Sequence, residues 1–183
     1  FSASPDNATQ RYLYKTSLTK PAETKRVTPE GLPGTHTYLL SPNGRWAEHT
    51  FSSHLYLPAS EWLSLPDDKP LDPDKTIARD LRPTPLGKQT SFFQLKTADG
   101  VTMDGWVIKP ASFDSTKKYP VIFYTYAEPA GASVVDAAYV GGRASFFNVD
   151  SGYIFVSVEG RGTPKGKIHR RGESRSWPML ARS

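Results

Sequence analysis

Thr37-Tyr38-Leu39-Leu40, then Ser41-Pro42-Asn43-Gly44, then Arg45-Trp46-Ala47-Glu48-His49-Thr50-Phe51 is the stretch on which the reading of this chain turns. Pro42 presets the backbone for the second position of a turn, and Asn43-Gly44 tolerates the positive φ that tight connections require. The two flanking runs are therefore expected to pair antiparallel as a β-hairpin. Downstream, about Glu61 to Leu65 reads as a further strand that closes on Pro66-Asp67-Asp68-Lys69. Upstream, Arg11 to Leu18 alternates bulky and polar residues, the period-two pattern of a half-buried strand. Ser4-Pro5-Asp6 precedes the Ser41-Pro42-Asn43-Gly44 turn by about forty residues, a blade-length spacing for a β-propeller repeat. The edge of an ordinary β-sandwich is the competing reading of this segment.

Residues 66 to 90 change character. Pro-Asp-Asp-Lys-Pro-Leu-Asp-Pro-Asp-Lys and then Leu81-Arg82-Pro83-Thr84-Pro85-Leu86-Gly87 are rich in proline and charge without periodicity, as a linker is. Beyond it, Ser91 to Thr97, the turn Ala98-Asp99-Gly100, and Thr102 to Pro110 read as a second hairpin. Val121-Ile122-Phe123-Tyr124-Thr125-Tyr126 is a continuous apolar run suited to a strand buried on both faces, and Gly152 to Val158 is another. Between them, about residues 136 to 148 are expected to supply a crossover helix, weakened by Gly141-Gly142. Strand, helix, strand reads as α/β.

Composition agrees with a β-rich chain. Of 183 residues, 37% are hydrophobic and 12% aromatic, too much apolar material for a disordered chain. Sixteen prolines and fourteen glycines break it into short segments and leave little room for long helices. With no cysteine, a disulfide framework, a thiolate metal site and a cysteine nucleophile are excluded. No metal or cofactor is indicated. The opening Phe1-Ser2-Ala3-Ser4-Pro5-Asp6 has no leader character and reads as internal, and no apolar run approaches the roughly 18 residues of a membrane span.

The net charge of +5 is concentrated at one end: residues 161 to 183 hold seven of the 23 basic residues and one of the 18 acidic ones. A basic tail without interleaved aromatics reads as a solvated end rather than a phosphate-tracking surface, so nucleic acid is not expected as a partner.

In order and spacing, several segments resemble the prolyl oligopeptidase clan of serine peptidases and, within it, the dipeptidyl peptidase IV-like branch. They are Ser41-Pro42-Asn43-Gly44-Arg45-Trp46, Lys96-Thr97-Ala98-Asp99-Gly100 with Asp104-Gly105-Trp106, Lys118-Tyr119-Pro120-Val121, Tyr126-Ala127-Glu128-Pro129 and Glu159-Gly160-Arg161-Gly162-Thr163-Pro164. The likeness covers about residues 1 to 167 and rests on the series, since no single piece is specific. It implies a mixed β and α/β fold, the C-terminal part of a β-propeller followed by a truncated α/β-hydrolase domain. Residues 1–65 would be the propeller end, 66–90 the linker and 91–183 the start of the hydrolase.

The resemblance further implies a catalytic role for Tyr126, as the hydroxyl that with a backbone N–H stabilises the oxyanion of a tetrahedral intermediate. Without the resemblance, a tyrosine that merely packs at a strand end is the plainer reading. The family usually has glycine where this chain has Glu128, so either the loop after Tyr126 is displaced or the position is an error in the reading of the gene. Glu159 and Arg161 are implied to be architectural, a turn held by an ion pair, and no catalytic role is carried onto them.

Acyl transfer also needs a serine on a Gly-x-Ser-x-Gly elbow, followed by an aspartate and a histidine. Gly172-Glu173-Ser174-Arg175-Ser176 lacks the second glycine and follows no buried strand. His36, His49, His54 and His169 all precede the place of the family's catalytic histidine, and each reads as a surface or packing residue. The branch's two substrate-amine glutamates would lie upstream of Phe1. After Lys167 the arginine-rich tail to Ser183 departs abruptly from the family's amphipathic helix, as a shift of reading frame or a truncated gene would make it.

The expectation is thus a fragment of a serine dipeptidyl peptidase that acts on peptides with proline or alanine in the penultimate position, inactive alone and prone to self-association through open sheet edges. By the resemblance the parent is extracytoplasmic and forms a homodimer. A non-catalytic interaction module and an acyl-peptide or ester hydrolase of the same clan are the alternatives.

Overall fold

The computed structural model describes residues 1–20, 23–65, 67–126, 131–140 and 152–160. Eleven strands and two short 3-10 helices, Ile77–Arg79 and Gly87–Gln89, make up its regular structure among these residues. Packing divides the chain into two units, Phe1–Lys88 with Val135–Val140, and Gln89–Val134 with Gly141–Ser183.

The first unit contains two sheets. Strands β1 (Ser2–Ala3), β2 (Tyr12–Thr16) and β3 (Thr24–Arg26) form an antiparallel sheet in chain order. Strands β4 (Thr35–Leu40), β5 (Trp46–Ser52), β6 (Ala59–Ser64) and β7 (Lys69–Pro70) form an antiparallel meander, also in chain order. The expected hairpin is β4–β5, with Leu40 opposite Ala47. Its turn is built by its own side chains. Ser41 Oγ donates to Asn43 Oδ1 at 2.8 Å and accepts from the Trp46 N–H at 3.1 Å, and Asn43 Oδ1 accepts from the Arg45 N–H at 3.1 Å. Gly44 then takes φ of 64°, which a side chain would resist.

Alternation along this meander sends Ala47, His49 and Phe51 of β5, and Ala59, Glu61 and Leu63 of β6, to the buried face. Phe51 and Ala59 form a core with Ile77, against which Leu32, Tyr56 and Leu81 pack. Ile77 lies inside the proline-rich stretch read as a linker. Ile77 and Leu81 hold that stretch on the core, and backbone bonds from the Leu57 N–H to the Arg82 carbonyl and from the Thr84 N–H to the Leu55 carbonyl add to them, none of which periodicity can reveal.

Val135–Val140 also packs into the first unit, anchored by Asp136. Its carboxylate accepts from the His54 N–H and His54 Nδ1, each at 2.8 Å, and from Gln10 Nε2 at 3.0 Å. Burial opposes a charge on Asp136, but these hydrogen bonds outweigh it and hold the carboxyl below its usual range.

The second unit holds one sheet of strands β8 (Thr90–Lys96), β9 (Thr102–Ile108), β10 (Val121–Tyr124) and β11 (Ile154–Val158), in the order β10-β11-β9-β8. The β8–β9 hairpin and the β9–β11 pair are antiparallel, and β10–β11 is parallel. Trp106, Ile108, Phe155 and Ser157 are buried on one face.

Two expectations are corrected here. The run Val121–Tyr124 is not buried on both faces: all four residues are exposed, from 38% to 59%, and the strand sits at the sheet edge. Its composition suits a covered strand, but the described residues supply no layer on either side. The crossover helix expected over about 136 to 148 is absent from its described part, since residues 136–140 form a bend and turn held by Asp136; residues 141–148 lie outside the described residues. Among the described residues, no helix is long and apolar enough to cross a membrane.

Candidate functional site

Parallel β10 and β11 end side by side. Their last paired residues are Tyr124 and Ser157, so the next residues of the same parity, Tyr126 and Glu159, leave the sheet at the same end. A Cβ placed on Gly160 would lie 3.6 Å from the Tyr126 carbonyl oxygen, which measures how closely the two strand ends approach. Ligands of open sheets with parallel strands bind beyond such carboxyl ends.

Glu159 organises this edge. It is 1% exposed, and its two carboxylate oxygens accept from the backbone N–H groups of Ser133, at 3.0 Å, and Val134, at 2.9 Å. Its own N–H donates to the Asp104 carbonyl at 2.9 Å. Trp106, equally buried, donates its indole N–H to the Ser133 carbonyl at 3.1 Å. A buried glutamate is rare unless fully hydrogen-bonded, and this one spends both oxygens on pinning a loop.

That loop carries Gly131 to Tyr126. A Cβ on Gly131 would stand 2.5 Å from Tyr126 Cε1, so a larger residue there would push the phenol ring from its place against the backbone. Tyr126 itself is 40% exposed. The arrangement is therefore a half-exposed tyrosine whose ring rests on a loop tethered to the sheet by Glu159 and Trp106.

Tyr126 is the site residue expected from sequence. Glu159 is expected in a turn held by an ion pair with Arg161; its carboxylate instead accepts from two backbone N–H groups, and Arg161 lies outside the described residues. Gly131, Ser133 and the Trp106 tether were not singled out, and their bonds join residues 25 to 27 positions apart, which no local pattern exposes. Ala127, Glu128, Pro129, Arg161, His169 and the Gly172-Glu173-Ser174-Arg175-Ser176 segment lie outside the described residues. His36, His49 and His54 belong to the first unit and are not part of this edge. Among the described residues, no group of three or more His, Asp or Glu is placed to hold a metal ion.

No protein-family model matches the chain. A probable dipeptidyl-aminopeptidase B of Ajellomyces capsulatus is 36% identical over 109 residues, which are 60% of this chain and 11% of that protein. A probable dipeptidyl-aminopeptidase B of Chaetomium globosum is 27% identical over 186 aligned residues, 97% of this chain and 20% of that protein. The solved structure of Porphyromonas gingivalis dipeptidyl peptidase 4 matches with a TM-score of 0.74 and 21% identity, over 94% of this chain and 24% of that one. The chain thus spans a quarter or less of the length of each. By sequence and fold together, it is recognisable as a fragment similar to the dipeptidyl peptidase IV-like serine peptidases of the prolyl oligopeptidase clan.

Proposed function

We propose that this chain is a piece of a serine exopeptidase that releases N-terminal dipeptides, with proline or alanine in the penultimate position, and that Tyr126 is its oxyanion donor. In this reading residues 1–65 are the end of a β-propeller, 66–90 join the domains, and 91–183 begin an α/β-hydrolase domain. The observation that carries it is Tyr126 just past the carboxyl end of a strand whose parallel neighbour ends beside it. The order β10-β11-β9-β8, with an antiparallel hairpin leading into a parallel pair, supports the hydrolase assignment.

The chemistry suits a phenol in that position. A tetrahedral intermediate of acyl transfer places negative charge on the former carbonyl oxygen, and a hydroxyl held ready beside that oxygen lowers the barrier without reorganising. One such donor is worth about 10²–10³ in rate. Glu159 and Trp106 act at one remove, by fixing the loop on which the tyrosine ring rests.

The 183 residues contain no Gly-x-Ser-x-Gly sequence, so in this reading the chain alone has no hydrolytic activity. Its substrates, extracytoplasmic location and homodimeric assembly are proposed for the parent on the resemblance. The exposed β10 edge supports self-association of the isolated chain.

The test is hydrolysis of a Gly-Pro chromogenic substrate by the 183-residue chain and by a longer product of the same gene. Activity only in the longer product, lowered about 10²–10³-fold in kcat by Tyr126→Phe, is the expected result. Activity of the short chain, or a Tyr126→Phe variant of the long one with unchanged kcat, overturns the reading.

A further inference from the structure

Three buried titratable groups of the first unit take no part in the Tyr126 edge. His36 on β4, His49 on β5 and Glu61 on β6 are exposed by only 1%, 1% and 8%. They lie on adjacent strands and form one unbroken line. His36 Nε2 is 2.8 Å from the Leu32 carbonyl oxygen, and His36 Nδ1 is 2.8 Å from His49 Nε2. His49 Nδ1 is 2.8 Å from Glu61 Oε1, and Glu61 Oε2 accepts from the Ile77 N–H at 3.1 Å.

Each of the line's three links, carbonyl to His36, His36 to His49, and His49 to Glu61, needs one proton. A carbonyl oxygen only accepts, so the first proton sits on His36 Nε2. Two neutral imidazoles and a carboxylate bring only two protons. The line closes with a third, and buried polar groups with a missing link are costly.

The surroundings say where the third proton resides. His36 packs against the Tyr12 ring at 5.4 Å and the Phe51 ring at 4.9 Å, and the Arg26 guanidinium lies 3.7 Å above the Tyr12 ring. Burial above all, with His49 and Arg26 adding repulsion, lowers the His36 pKa to about 4. His49 is stacked on Tyr38, ring to ring at 4.3 Å, while the Tyr38 hydroxyl donates to Thr28 Oγ1. Asp68, which acts on Tyr38, is paired with Lys15 at 3.0 Å. Burial opposes the Glu61 charge, but hydrogen bonds from His49 and the Ile77 N–H hold its carboxyl below the ordinary range.

We propose that His36, His49 and Glu61 form a buried binding site for one proton, taken up as the chain folds at neutral pH and held as a His49 imidazolium between neutral His36 and ionised Glu61. Above the ordinary histidine pKa of about 6.5, both imidazoles of the unfolded chain are neutral and folding takes up a proton. The folding equilibrium constant then falls about tenfold per pH unit, until the folded site itself releases the proton. Below about 6.5 the unfolded chain binds two protons at these histidines and the folded site keeps one, so stability falls again as the pH falls. The site makes the first unit most stable near neutrality.

Glu61→Gln isolates the effect from other titrating groups. A glutamine amide donates to His49 Nδ1 while its oxygen accepts from the Ile77 N–H, so the same line closes with neutral imidazoles. Urea unfolding of the 183-residue chain and of Glu61→Gln from pH 7 to 8 should show the parent losing about tenfold more in its folding constant than the variant. Parallel pH dependences overturn the proposal. Should the variant not fold, ¹⁵N spectra of the histidine-labelled parent at pH 7.5, in solution or in the solid state, decide. Two protonated nitrogens on His49 and one on His36 are expected; a single one on His49 overturns the proposal.

Discussion

In the β4–β7 meander, three titratable residues are buried with the apolar ones while several large apolar residues stay outside; in the β8–β11 sheet the buried face is chiefly apolar, while an all-apolar strand lies at its edge. The first buries His36, His49 and Glu61 among Ala47, Phe51 and Leu63 and leaves Leu39, Trp46 and Trp62 exposed. The second buries Trp106, Ile108 and Phe155 and exposes Val121, Ile122, Phe123 and Tyr124. Hydrophobicity alone therefore does not sort residues here. Polar side chains can be buried where a neighbouring strand offers each one a partner, and apolar ones stay outside where the described residues offer no cover.

The largest expected effect contrasts two tryptophans. Trp106→Ala removes a fully buried indole and its bond to Ser133, and should cost the second unit about 3–5 kcal/mol in denaturant unfolding. Trp62→Ala, about half-exposed and in edge contact with Trp46 at 5.2 Å, should cost the first unit far less. Equal losses would break the contrast between a packed sheet face and an open one.

Glu159→Gln comes next. An amide NH₂ must then face a backbone N–H of Ser133 or Val134, and leaving buried donors unmatched should cost about 2–3 kcal/mol. In the longer peptidase proposed above, the same change should lower kcat through the displaced loop, with no shift in the pH profile, since the Glu159 carboxylate is buried and bonded to backbone N–H groups. Unchanged stability would mean that the loop is held by other contacts.

Acid should separate the two units. Among the described residues, every histidine lies in the first. His36 is held at about 4, below its unfolded value, so the unfolded chain binds the proton that the fold refuses. From pH 6.5 to 5 the first unit should weaken about tenfold in its folding constant while the second does not. Fluorescence of variants retaining only Trp62 or only Trp106 would follow each unit. A common acid response would remove this distinction.

The smallest effect on stability belongs to β10. Phe123→Lys, at an exposed edge position, should change unfolding free energy by no more than about 0.5 kcal/mol yet lower self-association in sedimentation, because a charge on an edge strand opposes pairing with a second chain.

Much of this was legible beforehand. The β4–β5 hairpin follows from Ser41-Pro42-Asn43-Gly44, whose side chains make the turn's own hydrogen bonds, and the β8–β9 hairpin follows from Asp99-Gly100. The buried histidines were legible in part: His49 alternates with Ala47 and Phe51, and Glu61 with Ala59 and Leu63, so each lies at an inward position. Reading them as solitary packing residues missed that three strands carry them into one line. Ile77 was hidden in a proline-rich stretch, and the 136–140 turn was read as helix because Asp136, which anchors it, finds its partners at His54 and Gln10.

Strand positions and turns are local properties of the sequence, and so are the segments whose resemblance to the dipeptidyl peptidase IV-like peptidases points to Tyr126. Alternation and turn chemistry act over a few residues, so they are written in neighbouring letters. Long-range packing is what puts β10 at an edge, tethers the loop beneath Tyr126 through Glu159 and Trp106, and brings His36, His49 and Glu61 into one hydrogen-bonded line. Each depends on which strands become neighbours, and on hydrogen bonds that a buried group must find wherever in the chain its partner lies.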